Sequence, residues 1–204
     1  MPACAETKPT LAVLHDVSGS MTTKDVIDTT KPNAEPKSRE ETAKPLIAAT
    51  GFGLSFDARI RERNFGVLQG KTYAEWRAAD AEGVARYNAG DPDYGPEGGE
   101  TARVFLDRCV TAVSDMVTAC NEKTLILVTH GGVVSSMYRH SQGLAFHSQR
   151  TWSVPNASIS EWRVEYRDDA PVFYCDRIGD DAFMPEALRE GSSPTPSIHQ
   201  AHVA

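Results

Sequence analysis

The run from Glu100 to Gln142 constrains the fold more than any other part of the chain. Val104, Phe105, Cys109, Val110, Val113, Met116 and Val117 recur at helical spacing, which predicts an amphipathic helix from Glu100 to Asn121. The apolar string TLILVT, Thr124 to Thr129, is too short for a helix and suits a buried strand. Gly131 and Gly132 then punctuate the chain before a second helix predicted from Val133 to Gln142. Helix, strand and helix in such close succession bury their apolar faces only by layering helices on a sheet, so the predicted class is α/β.

The remaining segments fit that class. TLAVLH, Thr10 to His15, reads as another buried strand, Asp16 to Lys37 as loop, and Ser38 to Thr50 as a helix stopped by Gly51. Ser55 to Arg59 reads as a short strand. Thr72 to Asn88 reads as helical pieces, with Thr72 and Glu75 in capping-box spacing. Gly90 to Gly99 is a loop, and alternating patterns predict strands over Ala157 to Tyr166 and Pro171 to Asp176. Beyond Pro185 the composition turns Ser, Pro and Ala rich and is expected to fray. The organisation predicted is one domain over 10–184 and a tail over 185–204.

With 40% hydrophobic residues in 204, the chain has enough apolar material for one core. Its 21 basic and 28 acidic residues leave a net charge of −7, which argues against nucleic acid or an anionic membrane as a general partner. A local cationic pocket for a small anion stays compatible with that charge. No apolar run approaches the roughly 20 residues that span a bilayer, and Met1 to Thr10 has no signal-like apolar stretch, so a soluble cytoplasmic protein is expected. Cys4, Cys109, Cys120 and Cys175 are too scattered for a zinc pair and read as buried or free thiols; neither a metal nor a cofactor is expected.

Two places carry chemistry. His130 ends an apolar strand, where open α/β sheets place their ligands, and Gly131 and Gly132 let the backbone of the following helix start approach an anion. A satisfied structural histidine is the alternative. Arg61, Glu62 and Arg63 form a charged cluster before a turn with Gly66 and Gly70, which would fix Glu62 as a proton donor to a leaving oxygen. Surface salt bridging is the alternative there.

RERNFGVLQGKTYAEW from Arg61, GPEGGE from Gly95 to Glu100, LILVTHGGVV from Leu125 and VPNASISEW from Val154 together resemble the histidine phosphatase superfamily, also called phosphoglycerate-mutase-like. The resemblance implies a three-layer α/β/α sandwich with a mostly parallel sheet and metal-independent phosphoryl transfer through a phosphohistidine. It places the nucleophile at His15, the proton donor at Glu62 and the second phosphate-binding histidine at His130. Arg39, Arg63, Asn64 and Gly131 are the implied substrate-binding residues, and a small phosphorylated metabolite is the implied partner. The short stretch between Gly70 and Gly98 favours a phosphatase over the mutases, which carry a longer insertion there.

The N-terminal third departs from the pattern. Leu14, Asp16 and Val17 stand where the family's Arg-His-Gly-Glu motif has arginine, glycine and glutamate, and Ser38 stands where a second arginine belongs. A helix and strand usual between these motifs are missing. Phosphoryl transfer relies on cations around the equatorial oxygens, so losing such arginines predicts a weakened or silent enzyme, and an impaired paralogue is the alternative. A different class is offered by Asp16, Ser18 and Ser20, whose D-x-S-x-S spacing looks like the metal-ion-dependent adhesion site of a binding module. Elsewhere, Tyr73, Trp76, Arg77 and Tyr87 read as helical packing, and Arg139, His140, His147 and Arg150 as a solvated surface. His199 and His202 are assigned no site.

Overall fold

The computed structural model describes residues 55–120 and 124–186 in full and the backbone of one strand, 10–15. In chain order the elements are β1 (Thr10–His15), α1 (Tyr73–Ala79), α2 (Ala81–Asn88), α3 (Ala102–Ala119), β2 (Thr124–Thr129), α4 (Gly131–Ser141), β3 (Ile159–Arg167) and β4 (Ala170–Asp180). They form the expected α/β arrangement, with the four strands in the order β2-β1-β3-β4. The predicted helix over 38–50, the Asp16, Ser18 and Ser20 motif and most of the predicted tail lie outside the described residues.

β1 runs parallel to β2, pairing Thr10 with Thr124 through to His15 with Thr129, and antiparallel to β3. β3 and β4 are also antiparallel. The described sheet is therefore mixed rather than mostly parallel. The β3-β4 pairing is set locally: only Asp168 and Asp169 separate the two strands, at φ 48° and 61°, and a two-residue connection with both residues left-handed joins antiparallel neighbours.

α3 starts where the Thr101 hydroxyl accepts the Val104 N–H, and its buried stripe is Phe105, Cys109, Ala112, Val113 and Val117. Val104, expected on that stripe, is 53% exposed because it falls to the side of the 105–109–112 line. β2 is not buried throughout either: Leu127 and Thr129 face inward while Val128 is 43% exposed. On β3, Ser160, Trp162 and Val164 alternate inward, and Trp162, fully buried, donates its indole N–H to Ser141 Oγ at 3.2 Å.

Around these lies one core of Val113, Val117, Val134, Met137, Trp162 and Phe173 with their neighbours. A smaller cluster of Trp76, Val84 and Tyr94 holds α1 and α2 together, so the aromatic residues of this region do pack as expected. The predicted capping box forms at α1, where Thr72 Oγ1 accepts from Glu75 N and the Glu75 carboxylate accepts from Thr72 N. Ser55 to Arg59 is not a strand. Asp57 Oδ1 accepts the Arg59 N–H at 2.8 Å and closes a 3-10 turn over Ala58–Ile60, a side-chain-to-backbone bond that competes with extended structure. Among the described residues no helix is long and apolar enough to cross a membrane.

Candidate active site

The site grows from the end of β2. His130, 8% exposed, caps α4 with an extended backbone, so Gly131 and Gly132 supply the first turn, whose N–H groups have no acceptor within the helix. The Glu62 carboxylate fills that position. Oε2 accepts from Gly132 N at 3.1 Å and Oε1 accepts from Arg63 N at 2.8 Å. A β-carbon on residue 132 would lie 2.1 Å from Glu62 Oε1, closer than any real contact, so this approach requires glycine. One residue before His130, the buried Thr129 hydroxyl donates to Ile60 O at 2.6 Å and ties the strand end to the Glu62 segment a second time.

β1 brings the other histidine to the same edge. Its register sets His15 beside Thr129, so His15 and His130 terminate neighbouring parallel strands at one end of the sheet. That is where open α/β sheets bind ligands. Leu14 pairs with Val128 on one side and Ile159 on the other. Arg39 lies outside the described residues.

Arg63 and Asn64 face the loop more than the helix end. Arg63, 8% exposed, donates Nε to Glu100 O and Nη2 to Tyr94 O, both at 3.0 Å, and its guanidinium lies 5.2 Å from the Phe65 ring centre and 5.9 Å from that of Tyr87. Burial lowers its pKa from the usual arginine value, although the neighbouring tyrosines and carboxylates oppose this. Asn64 Oδ1 accepts from Gly66 N and Gln69 Nε2, and its amide donates to Gly98 O. Gly66 is constrained more tightly than Gly132, by its left-handed φ of 50° and by the backbone: a β-carbon there would meet Glu97 O at 2.0 Å. The expected fixed turn after Glu62 is thus built by docking onto the 95–100 loop.

Glu100 and Arg108 are the residues that sequence reasoning missed. Arg108 forms a two-pronged pair with Glu100, Nε to Oε1 at 2.8 Å and Nη2 to Oε2 at 2.7 Å. It also donates to the carbonyls of Arg59 at 2.6 Å, Arg61 at 3.2 Å and, weakly, Glu62 at 3.5 Å. Glu100 Oε2 also accepts from Asn64 N at 2.9 Å, and Glu100 N donates to Asn64 O at 2.8 Å. The backbone on both sides of Glu62 is therefore gripped from α3. Burial pushes the Glu100 carboxyl upward, but the Arg108 and Asn64 hydrogen bonds and the nearby guanidinium charges outweigh it and leave the pKa below the ordinary value. GPEGGE was visible as a motif; the signal for its role was an acidic residue eight positions before an arginine across a helix start.

A polar group poised at a helix N-terminus, two strand-end histidines and a rigid carboxylate make a site suited to an oxyanion and to proton transfer beside it. Residues 38–177 match the family model of the histidine phosphatase superfamily (branch 1), and the chain belongs to that superfamily. It is 29% identical over 126 residues to phosphoglycerate mutase-like protein 4 of Arabidopsis thaliana, covering 61% of this chain and 54% of that protein. It is 32% identical over 111 residues to a glucosyl-3-phosphoglycerate phosphatase of Mycolicibacterium vanbaalenii, covering 51% of this chain and 49% of that one. The matched region thus spans about half the length of these relatives. The fold is similar to that of a mycobacterial glucosyl-3-phosphoglycerate phosphatase, at TM-score 0.65 and 20% identity over 84% of this chain and 98% of the other. An alpha-ribazole phosphatase from Shigella flexneri superposes at TM-score 0.61 with 13% identity, over 81% and 95% of the two chains.

Proposed function

We propose that this chain is a metal-independent phosphomonoesterase acting on a small phosphorylated metabolite through a phosphohistidine. The observation that carries the reading is the Glu62 carboxylate held against Gly132 N beside His130, at the strand edge where His15 also ends. His15 attacks phosphorus as the bond to the ester oxygen breaks, and Glu62 gives that oxygen its proton. Water then attacks phosphorus with Glu62 taking its proton, the bond from phosphorus to His15 breaks, and inorganic phosphate leaves. His130, the Gly131 N–H and the positive end of α4 hold the phosphoryl oxygens. Arg39 is assigned to the same oxygens, and Arg63 and Asn64 to the substrate side of the site, where their hydrogen bonds to the 94–100 loop keep the Glu62 turn rigid. The three-layer sandwich and the catalytic domain over 10–184 belong to this reading.

A second reading, a catalytically silent member of the superfamily, is favoured by Leu14, Asp16, Val17 and Ser38 at the departures noted above. An aspartate next to the nucleophile repels a phosphate dianion, and absent arginines remove charge that the transition state needs. Hydrolysis of 4-nitrophenyl phosphate in the presence of a chelator separates the two. The phosphatase reading expects turnover that His130→Ala, His15→Ala and Glu62→Gln each reduce by about 100-fold or more. Turnover unchanged in His15→Ala would remove His15 as nucleophile, and no turnover in the wild type would favour the silent member.

A further inference from the structure

Three buried hydroxyls stand at the end of the sheet where His15 and His130 terminate, and two of them are engaged. Thr129 donates to Ile60 O at 2.6 Å, and Ser160 Oγ accepts from Gly179 N at 2.9 Å. Ser158, only 1% exposed, has no hydrogen-bond partner for its Oγ among the described residues. A buried hydroxyl without a partner costs free energy, and nearly all such groups in folded proteins have one.

Strand register identifies the neighbour of that hydroxyl. β1 pairs Val13 with Ser160 and Leu14 with Ile159, so the next step sets His15 opposite Ser158. On its other side His15 pairs with Thr129. Residues 129, 15 and 158 thus form one row across three strands, and Thr129 and Ser158 lie on the buried face of the sheet, as Leu127 and Ser160 do one row back. The turn that delivers Ser158 takes a costly shape. Ser158 N donates to Pro155 O at 3.2 Å across Asn156 and Ala157, and Ala157 adopts φ 57°, a left-handed position that glycine ordinarily fills. Strain of this kind persists where the surrounding structure holds it, and it clusters at functional sites.

We propose that Ser158 is a positioning residue for the nucleophile: its hydroxyl accepts the N–H of one imidazole nitrogen of His15 and leaves the other nitrogen, without a proton, to face phosphorus. This rests on the phosphatase reading for the nucleophile. A histidine attacks only through a nitrogen that carries no proton, and the bond made by the other nitrogen decides which one that is. The Thr129 hydroxyl is oriented by Ile60, which leaves Ser158 as the flanking hydroxyl able to turn to the ring.

Ring-nitrogen NMR spectra of protein with isotopically labelled histidine test the bond without turnover, His15 being assigned by its loss in His15→Ala. The wild type is expected to hold neutral His15 in a single tautomer. Ser158→Ala mixes the two tautomers and Ser158→Thr restores one, while the His130 signals, which check the fold, stay in place. A His15 tautomer unchanged in Ser158→Ala overturns the proposal. With 4-nitrophenyl phosphate, Ser158→Ala lowers kcat about tenfold at unchanged KM and Ser158→Thr recovers it; a kcat unchanged in Ser158→Ala overturns the proposal as well. If the wild type does not turn over while Ser158→Ala still mixes the tautomers, the phosphatase reading falls and the positioning bond stands.

Discussion

Glu62 occupies the space that a side chain on Gly132 would need: Oε1 lies 2.1 Å from the ideal β-carbon position, while Oε2 accepts the Gly132 N–H at 3.1 Å. Attraction and exclusion act at one residue, so the glycine both holds the carboxylate and sets its distance.

Gly132→Ala tests this relationship with a known opposing effect. In an ordinary helix the change stabilises by up to about 1 kcal/mol, because alanine loses less backbone entropy. Here it displaces Glu62, and phosphatase turnover is expected to fall about 100-fold or more, with a thermal midpoint that does not rise. A variant that is more stable and fully active would mean that Glu62 needs no fixed position.

The grip of Arg108 predicts an asymmetry between single and paired changes. Arg108→Ala leaves the Glu100 carboxylate, with only 12% of its side chain exposed, without its main partner, and is expected to cost about 3–5 kcal/mol in denaturant unfolding. Arg108→Met combined with Glu100→Gln removes both charges and should cost less than the two single changes added together. Additive losses would show that the two side chains act separately.

Acid sensitivity follows from the same pair. The folded pKa of Glu100 is depressed, so its ionised form contributes stability above the ordinary carboxylate value, and that contribution is lost as pH falls through the lower folded value. Stability of the wild type and of Glu100→Gln, measured by urea unfolding, should therefore differ most near neutral pH. The difference should shrink below about pH 4. A gap that stays constant down to the acid-unfolded state would contradict the assignment.

Thiol reactivity should divide the cysteines by burial. Cys109 is fully buried against Phe105 and Val133, and burial pushes its thiol up to about 12. A disulfide reagent at pH 8 is expected to leave Cys109 unmodified in the native protein and to label it once the chain is unfolded, as peptide mapping would show. Native labelling at the rate of an exposed thiol would mean that α3 separates from α4 readily.

Much of this was written in the sequence wherever a local signal and the packing agreed. β1 and β2 have the predicted bounds, the Thr72 capping box forms, and His130 ends a strand before a helix as expected. The signal failed where the outcome turns on a specific side-chain bond, a tight turn or a tertiary contact rather than on periodicity. The 58–60 turn depends on Asp57 reaching Arg59 N, and the antiparallel β3-β4 pair depends on a two-residue aspartate turn with no glycine. Arg108 reads as one more polar residue on a helix until the carbonyls of Arg59 and Arg61, nearly fifty positions earlier, are brought to it. The resemblance implies Arg63 and Asn64 as substrate-binding residues; their bonds to the 94–100 loop are tertiary and have no periodicity to reveal them.

β1 joins two halves of the described sheet that do not otherwise pair, β2 on one side and the β3-β4 hairpin on the other, and it meets both across more than a hundred residues of chain. What fastens it is main-chain hydrogen bonding, which takes no account of whether Leu14 or an arginine stands at its end. Architecture and chemistry can thus come apart in this strand: a change of residue at position 14 could alter the charge beside His15 while leaving the six-residue ribbon in the same register between β2 and β3.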